Sequence, residues 1–394
     1  MSDAVPSGSN PFEFLLGDMM KAMSGQVQDP MAMVTQFVQV ANADETSAAN
    51  VEPSLRIRVE ELFRLAQLHV DTLRYLPPSS APTSQSLIVT NPLAFSNLML
   101  TGWRPYIELL LQSMAPQGVI SSSLDLQSSD ATANPLMAML GQFGATLTPM
   151  LSGAQIGSLI GHFAKEAHAA YDLLIPSTDP SSIVLVPQTI ERFAQDWQLD
   201  RDSLFIWTLT QQLVTASLLT NETLRDRLDT EIRLHLVDMR ADVTAAMNQL
   251  STLNFTDPEA IQGFLGDPSA LVSGEFTEAQ RINYEEIEAT LAVLLGISNL
   301  ACRQIGSAVL GATGAIEEAL RRRSIEGTEA HRLLAHLFGI EMSERAIDLS
   351  SSFTEFLADA EHTDALSAIY SDSESFPTIF DLEHPDLWLA RVMR

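Results

Sequence analysis

The chain has 394 residues, 46% of them apolar, which is enough length and apolar content for a substantial folded core. Its 50 acidic residues outnumber 22 basic ones, and the formal net charge of −28 predicts repulsion from phosphate backbones and anionic lipid. We therefore expect neither nucleic acid nor a membrane surface as a partner. The single cysteine, Cys302, excludes an intrachain disulfide and a thiolate zinc cage, and its apolar neighbours predict a buried structural thiol.

The N-terminal residues show neither a basic region nor an apolar stretch, which predicts a cytoplasmic protein without a secretion signal. A Met- and Phe-rich stretch with helical spacing runs from Phe12 to Met23. Such a stripe is typical of core packing, with a partner-binding helix as the alternative. We predict a flexible N-terminal segment at 1–53 that contains this helix, followed by one helical domain at 54–394.

The rest of the chain is dominated by helical periodicity of apolar residues. The polar stretch 117–134 is predicted to be a mobile excursion, and the Gly-, Pro- and Asp-rich connector 254–276 offers a possible subdivision of the domain. The β-branched run from Ile183 to Pro187 is the best strand candidate. The sequence therefore predicts a mainly α protein with a minor β element, and its predicted helical tracts are 54–74, 92–114 with a break at Pro105, 135–174, 188–197, 202–220, 221–250, 277–310, 313–323, 328–340 and 350–370.

Several short motifs occur in an order that resembles a known family. These are Leu-Ser-Gly-Ala-Gln-Ile-Gly at 151–157, Tyr-Asp-Leu at 171–173, Leu-Phe-Ile-Trp at 204–207, Leu-Phe-Gly-Ile-Glu-Met at 337–342, and the closing pattern from Tyr370 to Val392. Together they resemble the actinobacterial zincin-like family of hydrolases labelled zinc-dependent metalloproteases. The resemblance implies a zincin-like helical metalloprotease-type fold and a zinc cofactor.

In that family the helix after the tryptophan carries His-Glu-x-x-His. Histidines at i and i+4 lie on one helical face and bind a single zinc ion, while the glutamate acts as general base on the metal-bound water. Aligned on Trp207, the ligand positions hold Gln211 and Thr215, and the general-base position holds Gln212. An amide and a hydroxyl are much poorer zinc ligands than imidazole, and an amide does not accept a proton from water near neutral pH.

The third zinc ligand of the family comes from a helix that reads Glu-Gly-aromatic-Ala-acid. The matching stretch here keeps Gly296, but Leu295 and Asn299 stand at the two acidic positions. The resemblance therefore implies that both parts of the zinc site have been lost, so that we predict no catalytic residue, no bound metal and no cofactor. If the site has been refitted as core, these positions should converge on an apolar pocket.

Other residues could in principle rebuild a metal site. Glu231, His235 and Asp238 follow i, i+4, i+7 spacing on one predicted helix, and His162 and Glu166 form a similar i, i+4 pair. A solvated helix face with a Glu–His contact is the commoner explanation of such spacing.

The hypothesis that the sequence favours is a non-catalytic pseudoenzyme that acts as a scaffold for a protein or peptide. The alternative is an active metal-dependent hydrolase or peptidase with a rebuilt site. A third possibility is a purely structural helical protein that its N-terminal segment holds in a complex. The sequence defines neither the partner nor the oligomeric state.

Overall fold

The computed structural model describes residues 29–77, 85–114, 152–176, 179, 181–239, 278–358, 362–370 and 375–393. These residues form many helices and a two-stranded parallel sheet, so the predicted mainly α fold with a minor β element is confirmed. The first helices are α1 (Pro30–Ala41), α2 (Glu45–Ala48), α3 (Pro53–Val70), α4 (Pro92–Gly102), α5 (Arg104–Ser113) and α6, whose described part covers 152–164.

The remaining helices follow the second strand. They are α7 (Pro187–Asp196), α8 (Arg201–Thr220), α9 (Glu222–Asp238), α10 (Glu278–Val309), α11 (Gly314–Glu326), α12 (Glu329–Leu337), α13 (Glu344–Ala358), α14 (Thr363–Ala368), α15 (Ile379–Glu383) and α16 (Pro385–Val392).

Two helices form the centre of the molecule. Helix α8 packs against α3, α7, α9 and α10, and α10 packs against α9 and α13. Asp200 caps the start of helix α8: its carboxylate accepts a hydrogen bond from the Ser203 N–H and satisfies one of the free donors of the first turn. Its apolar side chains are buried on most of its circumference, as expected of a core helix surrounded by other helices.

Helix α10 is also central, although its composition is compatible with a membrane span. Its segment Gln280–Val309 is long and apolar enough to cross a membrane, and 61% of the most apolar window is buried inside the protein. Length and composition alone are weak evidence for a span, because core helices pass the same test. The packing of α10 against α8 and α13 accounts for its apolar character.

The sheet joins β1 (Ser86–Val89) and β2 (Ser182–Leu185) in parallel, with Leu87 opposite Ile183 and Ile88 opposite Val184. Strand β2 lies where the β-branched run predicted a strand. Strand β1 was not predicted because it is only four residues long and only its last residue is fully buried. Its sequence does not alternate between apolar and polar residues, because the exposed position 88 holds an isoleucine, so it carries little sequence signal.

Helix α1 crosses α6 at very close range along a row of glycines. A methyl group added at Gly153 would lie 2.7 Å from the Pro30 carbonyl oxygen, and one at Gly157 would lie 2.4 Å from the Val34 carbonyl oxygen. Spacing of four residues places these glycines on one face of α6, so that the two backbones can approach. The predicted boundary at residue 53 stays a prediction, and the predicted helix from Phe12 to Met23 lies outside the described residues, as do 117–134 and 254–276.

Several helix boundaries differ from the predicted ones for identifiable reasons. The break in 92–114 falls at Trp103, because Pro105 occupies the first turn of α5, where its missing N–H costs nothing. The tract 135–174 ends its helix at residue 164, after which Ala169 pairs with Leu185 beside the sheet. Helix α13 begins before the predicted residue 350, since the Ser343 side chain caps it through the Ala346 N–H.

Candidate functional site

A pocket of about 300 Å³ lies between helices α8, α10, α11 and α13. Three of the positions that the family resemblance assigned to metal binding or its surroundings converge there: Gln211, Leu295 and Asn299. The other lining residues are Trp207, Arg303, Gly314, Glu317, Glu318, Leu320, Arg321, Ser324, Ile347, Asp348 and Ser351. Two separate helices therefore bring these three residues to one pocket, whereas Gln212 and Thr215 are not among its lining residues.

Helix α8 contributes a row of residues that starts at the pocket and continues into the core. Gln211 lies one turn after Trp207, is half-buried and lines the pocket. One turn further on, Thr215 is buried, and its hydroxyl shares a 3.0 Å hydrogen bond with the Ser298 hydroxyl of α10. Thr215 therefore links the two central helices and does not line the pocket.

Gln212 points in a different direction from its neighbour. It is 1% exposed, and its Oε1 accepts a 2.9 Å hydrogen bond from the backbone N–H of Tyr171. This N–H belongs to the short 3₁₀ turn Ala170–Asp172, which includes two residues of the Tyr-Asp-Leu motif. The residue at the family's general-base position thus anchors a turn and does not reach the pocket.

Helix α10 presents a second row to the pocket, in which Leu295, Asn299 and Arg303 are spaced by four residues and share one face. Gly296, one residue after Leu295, faces the backbone of α13. A methyl group added there would lie 2.5 Å from the Ser350 carbonyl oxygen. The glycine that kept the register of the motif is therefore required by the close crossing of α10 and α13.

The expectation of an apolar pocket is wrong, because charged and polar residues outnumber apolar ones in its lining. Helices α11 and α13 supply Glu317, Glu318, Arg321 and Asp348, which the family resemblance did not associate with the site. Arg303 could have been found from its spacing, since it lies one turn after Asn299 on α10. The residues of α11 and α13 reach the pocket through tertiary packing, for which the sequence carries no local signal.

The residues at the family's metal positions do not fit a zinc ion. Gln211 and Asn299 offer neutral amides, and Leu295 offers no donor atom, whereas zinc sites use imidazole, thiolate or carboxylate. The Thr215 hydroxyl is committed to Ser298 and the Gln212 oxygen to Tyr171. Within the part of the chain that the structure describes, no three His, Cys, Asp or Glu residues are grouped so that they could hold a metal ion.

The alternative site on α9 does not assemble either. Glu231 is buried, with an ion pair to Arg227 at 2.8 Å and a hydrogen bond from the Thr290 hydroxyl at 3.2 Å. Burial raises the pKa of Glu231 to about 7, and Arg227 and Thr290 oppose that rise. Burial also lowers the pKa of His235 to about 4. Asp238 is exposed at the end of the helix.

The second histidine–glutamate pair is likewise not a site. His162 is exposed on α6, and Glu166 follows the end of that helix, where its backbone carbonyl accepts a 2.9 Å hydrogen bond from Arg323. Two further histidines, His331 and His336, contact different partners. The His331 Nε2 lies 3.4 Å from the Asp172 carbonyl oxygen, and the His336 Nδ1 lies 3.2 Å from the Glu341 carboxylate.

A buried ionic network near the 3₁₀ turn was missed by sequence reasoning. The carboxylate of Asp172 pairs with Arg323 at 2.8 Å and accepts a 2.6 Å hydrogen bond from the backbone N–H of His168. Burial acts to raise the pKa of Asp172, but Arg323 and His168 outweigh it and hold that pKa below its usual value. Burial also lowers the pKa of His168 to about 3, so its ring is neutral. Only the Tyr-Asp-Leu motif pointed to this region.

Cys302 precedes the pocket-lining Arg303 on α10 and is not itself among the lining residues. It is buried, its thiol lies 3.6 Å from the Trp207 carbonyl oxygen, and burial raises its pKa above the usual range. A thiol with a raised pKa is a poor nucleophile, in agreement with the structural role expected from its apolar neighbours.

Comparison with known proteins agrees with this architecture. The family described as zincin-like metallopeptidase matches residues 32–389. A crystal structure from Chloroflexus aurantiacus, described as "a putative hydrolase with a novel fold", is similar at a TM-score of 0.57 with 16% identity, covering 92% of this chain and 98% of that one. At that identity the likeness concerns the fold alone. No curated protein matches the chain. The chain belongs to the zincin-like metallopeptidase family.

Proposed function

We propose that this chain is a non-catalytic member of its family that uses the former metal cleft to bind a protein or peptide. The observation that carries the proposal is that Gln211, Leu295 and Asn299 converge on one pocket although none of these three side chains suits zinc. A peptidase of this type needs both the metal and a general base. The chain has an amide at the base position.

The fate of Gln212 supports the loss of catalysis independently of the ligands. Its oxygen accepts a hydrogen bond from Tyr171 inside the core, so the side chain is built into the protein framework. A side chain that acts as a general base would face the pocket, within reach of a substrate or of one bridging water. The unsuitable residues at the ligand positions and the buried amide at the general-base position therefore both support the loss of catalysis.

The alternative of a rebuilt metal-dependent hydrolase has less support. Glu231 is paired with Arg227 and Thr290, His235 is buried, and Asp238 is exposed, so the three do not share a metal position. The pocket carboxylates Glu317 and Glu318 are not grouped with a third ligand within the described residues.

A hydrolysis assay tests the proposal. The full chain should leave a broad library of quenched fluorescent peptides uncleaved, with or without added zinc, and a chelator should not change its melting temperature. Chelator-sensitive cleavage would overturn the proposal. Two variants separate a metal site on α9 from one in the pocket. Cleavage that Glu231→Gln abolishes would come from the α9 residues, and cleavage that Gln211→Ala abolishes would come from the pocket.

A further inference from the structure

The pocket is lined by more carboxylate groups than guanidinium groups. Two guanidinium groups line it, and each lies within ion-pair distance of a carboxylate. Arg303 lies 3.3 Å from the Glu355 carboxylate, although its buried Nη2 completes no hydrogen bond, and Arg321 lies 3.1 Å from the Asp348 carboxylate. Asp348 is therefore neutralised from within the pocket. An anionic ligand would have to compete with these carboxylates for the arginines, in a protein whose net charge is −28.

Glu317 is the exception among the pocket carboxylates. Glu318 pairs with Arg322 at 2.6 Å, whereas Glu317 accepts a 2.6 Å hydrogen bond from the Thr313 hydroxyl and has no ion-pair partner among the residues that the structure describes. Glu317 is half-buried at the wall formed by α11. A partly buried carboxylate with no cation of its own is a favourable position for the positive charge of a ligand.

The floor of the pocket offers a different kind of recognition. Gln211 and Asn299 are half-buried amides on neighbouring helices, and each can both donate and accept hydrogen bonds. That combination matches the N–H and C=O groups of a peptide main chain. Trp207, Leu295 and Ile347 add apolar surface beside the amides. A volume of about 300 Å³ is at the small end of ligand pockets, so it suits a short segment and not a whole protein surface.

We propose that this pocket binds a short peptide segment that carries a lysine or arginine side chain. The cationic group pairs with Glu317, and the main chain on either side of it hydrogen-bonds with Gln211 and Asn299. The inference rests on the proposed function, which supplies the peptide, and adds the charge of the residue that the pocket selects. Acidic segments are disfavoured because Glu317, which has no cation of its own among the described residues, would face them.

Arrays of immobilised, acetylated hexapeptides test this selectivity. In each set one central position is fixed as Lys, Arg, Met or Glu, and the other positions are mixed. The labelled full chain is applied as wild type, Glu317→Gln, Asn299→Leu and Glu285→Gln. Glu285 is exposed on α10 and outside the pocket lining, so its substitution matches the charge change of Glu317→Gln without touching the pocket.

We expect the wild type and Glu285→Gln to retain at least about fivefold more label on the Lys and Arg sets than on the Met and Glu sets, as one partly desolvated ion pair would give. Glu317→Gln should remove that preference, and Asn299→Leu should weaken binding to all sets. If the wild type binds all four peptide sets equally and only Asn299→Leu reduces that binding, the cation selectivity is overturned and the proposed function stays intact. Binding that neither pocket variant changes, or a preference for the Glu set, would overturn this inference, and the absence of any binding would overturn both proposals.

Discussion

The hydrogen bond between Gln212 and Tyr171 can be tested by replacing the glutamine with methionine. Gln212→Met keeps the length and the unbranched shape of the side chain but removes the acceptor of the Tyr171 N–H. Both residues are buried, at 1% and 4% exposure, so water cannot replace the lost partner. A buried N–H without a partner costs about 1–3 kcal/mol, which is the expected loss in the free energy of unfolding.

Gln212→Glu restores the residue type of the family's general base and tests the environment of the position. The acceptor is kept, but a carboxylate would have to be buried there. Glu231, which is buried beside an arginine, has a pKa of about 7, and position 212 is more buried still. A raised folded-state pKa means that the variant should be most stable at acidic pH and lose on the order of 3 kcal/mol or more as the pH rises above 4.5.

Urea unfolding followed by circular dichroism measures both variants, at pH 4 and pH 8. Gln211→Met is the matched control, since Gln211 lines the pocket one residue earlier and its replacement should change the free energy of unfolding by less than about 0.5 kcal/mol. The reasoning is refuted if Gln212→Met is as stable as this control and Gln212→Glu shows no dependence on pH. Position 212 would then not be an anchor of the 3₁₀ turn.

Three further predictions concern stability and use the same unfolding measurement. Gly157→Ala should destabilise the protein by about 1–3 kcal/mol, because the added methyl group meets the Val34 carbonyl oxygen. Helix propensity alone predicts a gain in stability of up to about 1 kcal/mol, so a stabilised variant would contradict the close approach of α1 and α6. Arg323→Met should lower the free energy of unfolding by on the order of 3–5 kcal/mol, because it leaves the buried Asp172 carboxylate without its cation. Arg322→Met is the control: it removes an exposed ion pair and should lower the free energy of unfolding by less than about 1 kcal/mol. Equal losses in the two variants would contradict this prediction. The folded-state pKa of Glu231, about 7, exceeds its usual value of 4.5. Its contribution to stability is therefore present below pH 4.5 and lost as the pH rises to 7, so the free energy of unfolding of Glu231→Gln minus that of the wild type should grow by on the order of 3 kcal/mol across that window. A difference that stays constant with pH would refute the assignment.

The fold was predictable where a long periodic pattern set it. The buried tract that became α8 and the long tract that became α10 were evident from apolar spacing, and β2 from its β-branched residues. Strand β1 was not predictable, because its four residues gain order by pairing with β2 across a long stretch of chain. The close approach of α1 to α6 was also not predicted, although Gly153, Gly157 and Gly161 share one helical face in the sequence.

The candidate site was predictable in part. The order of the motifs was enough to place Gln211 and Asn299 at one centre, since the family resemblance assigns both to the metal site. The resemblance could not indicate that Thr215 and Gln212 do not line the pocket, because helical spacing fixes which residues share a face but not which neighbouring element covers that face. Glu317 and Asp348 were missed for a similar reason, as helices distant in sequence bring them to the pocket wall.

Metal analysis of the purified full chain tests the central claim most directly. The protein is produced in zinc-containing medium, purified without chelators, and its zinc content is measured by mass spectrometry beside that of Gln211→Ala. The account predicts far less than one equivalent of zinc in both proteins, because amide, hydroxyl and leucine side chains occupy the ligand positions. One equivalent of tightly bound zinc in the wild type, lost in Gln211→Ala, would contradict it.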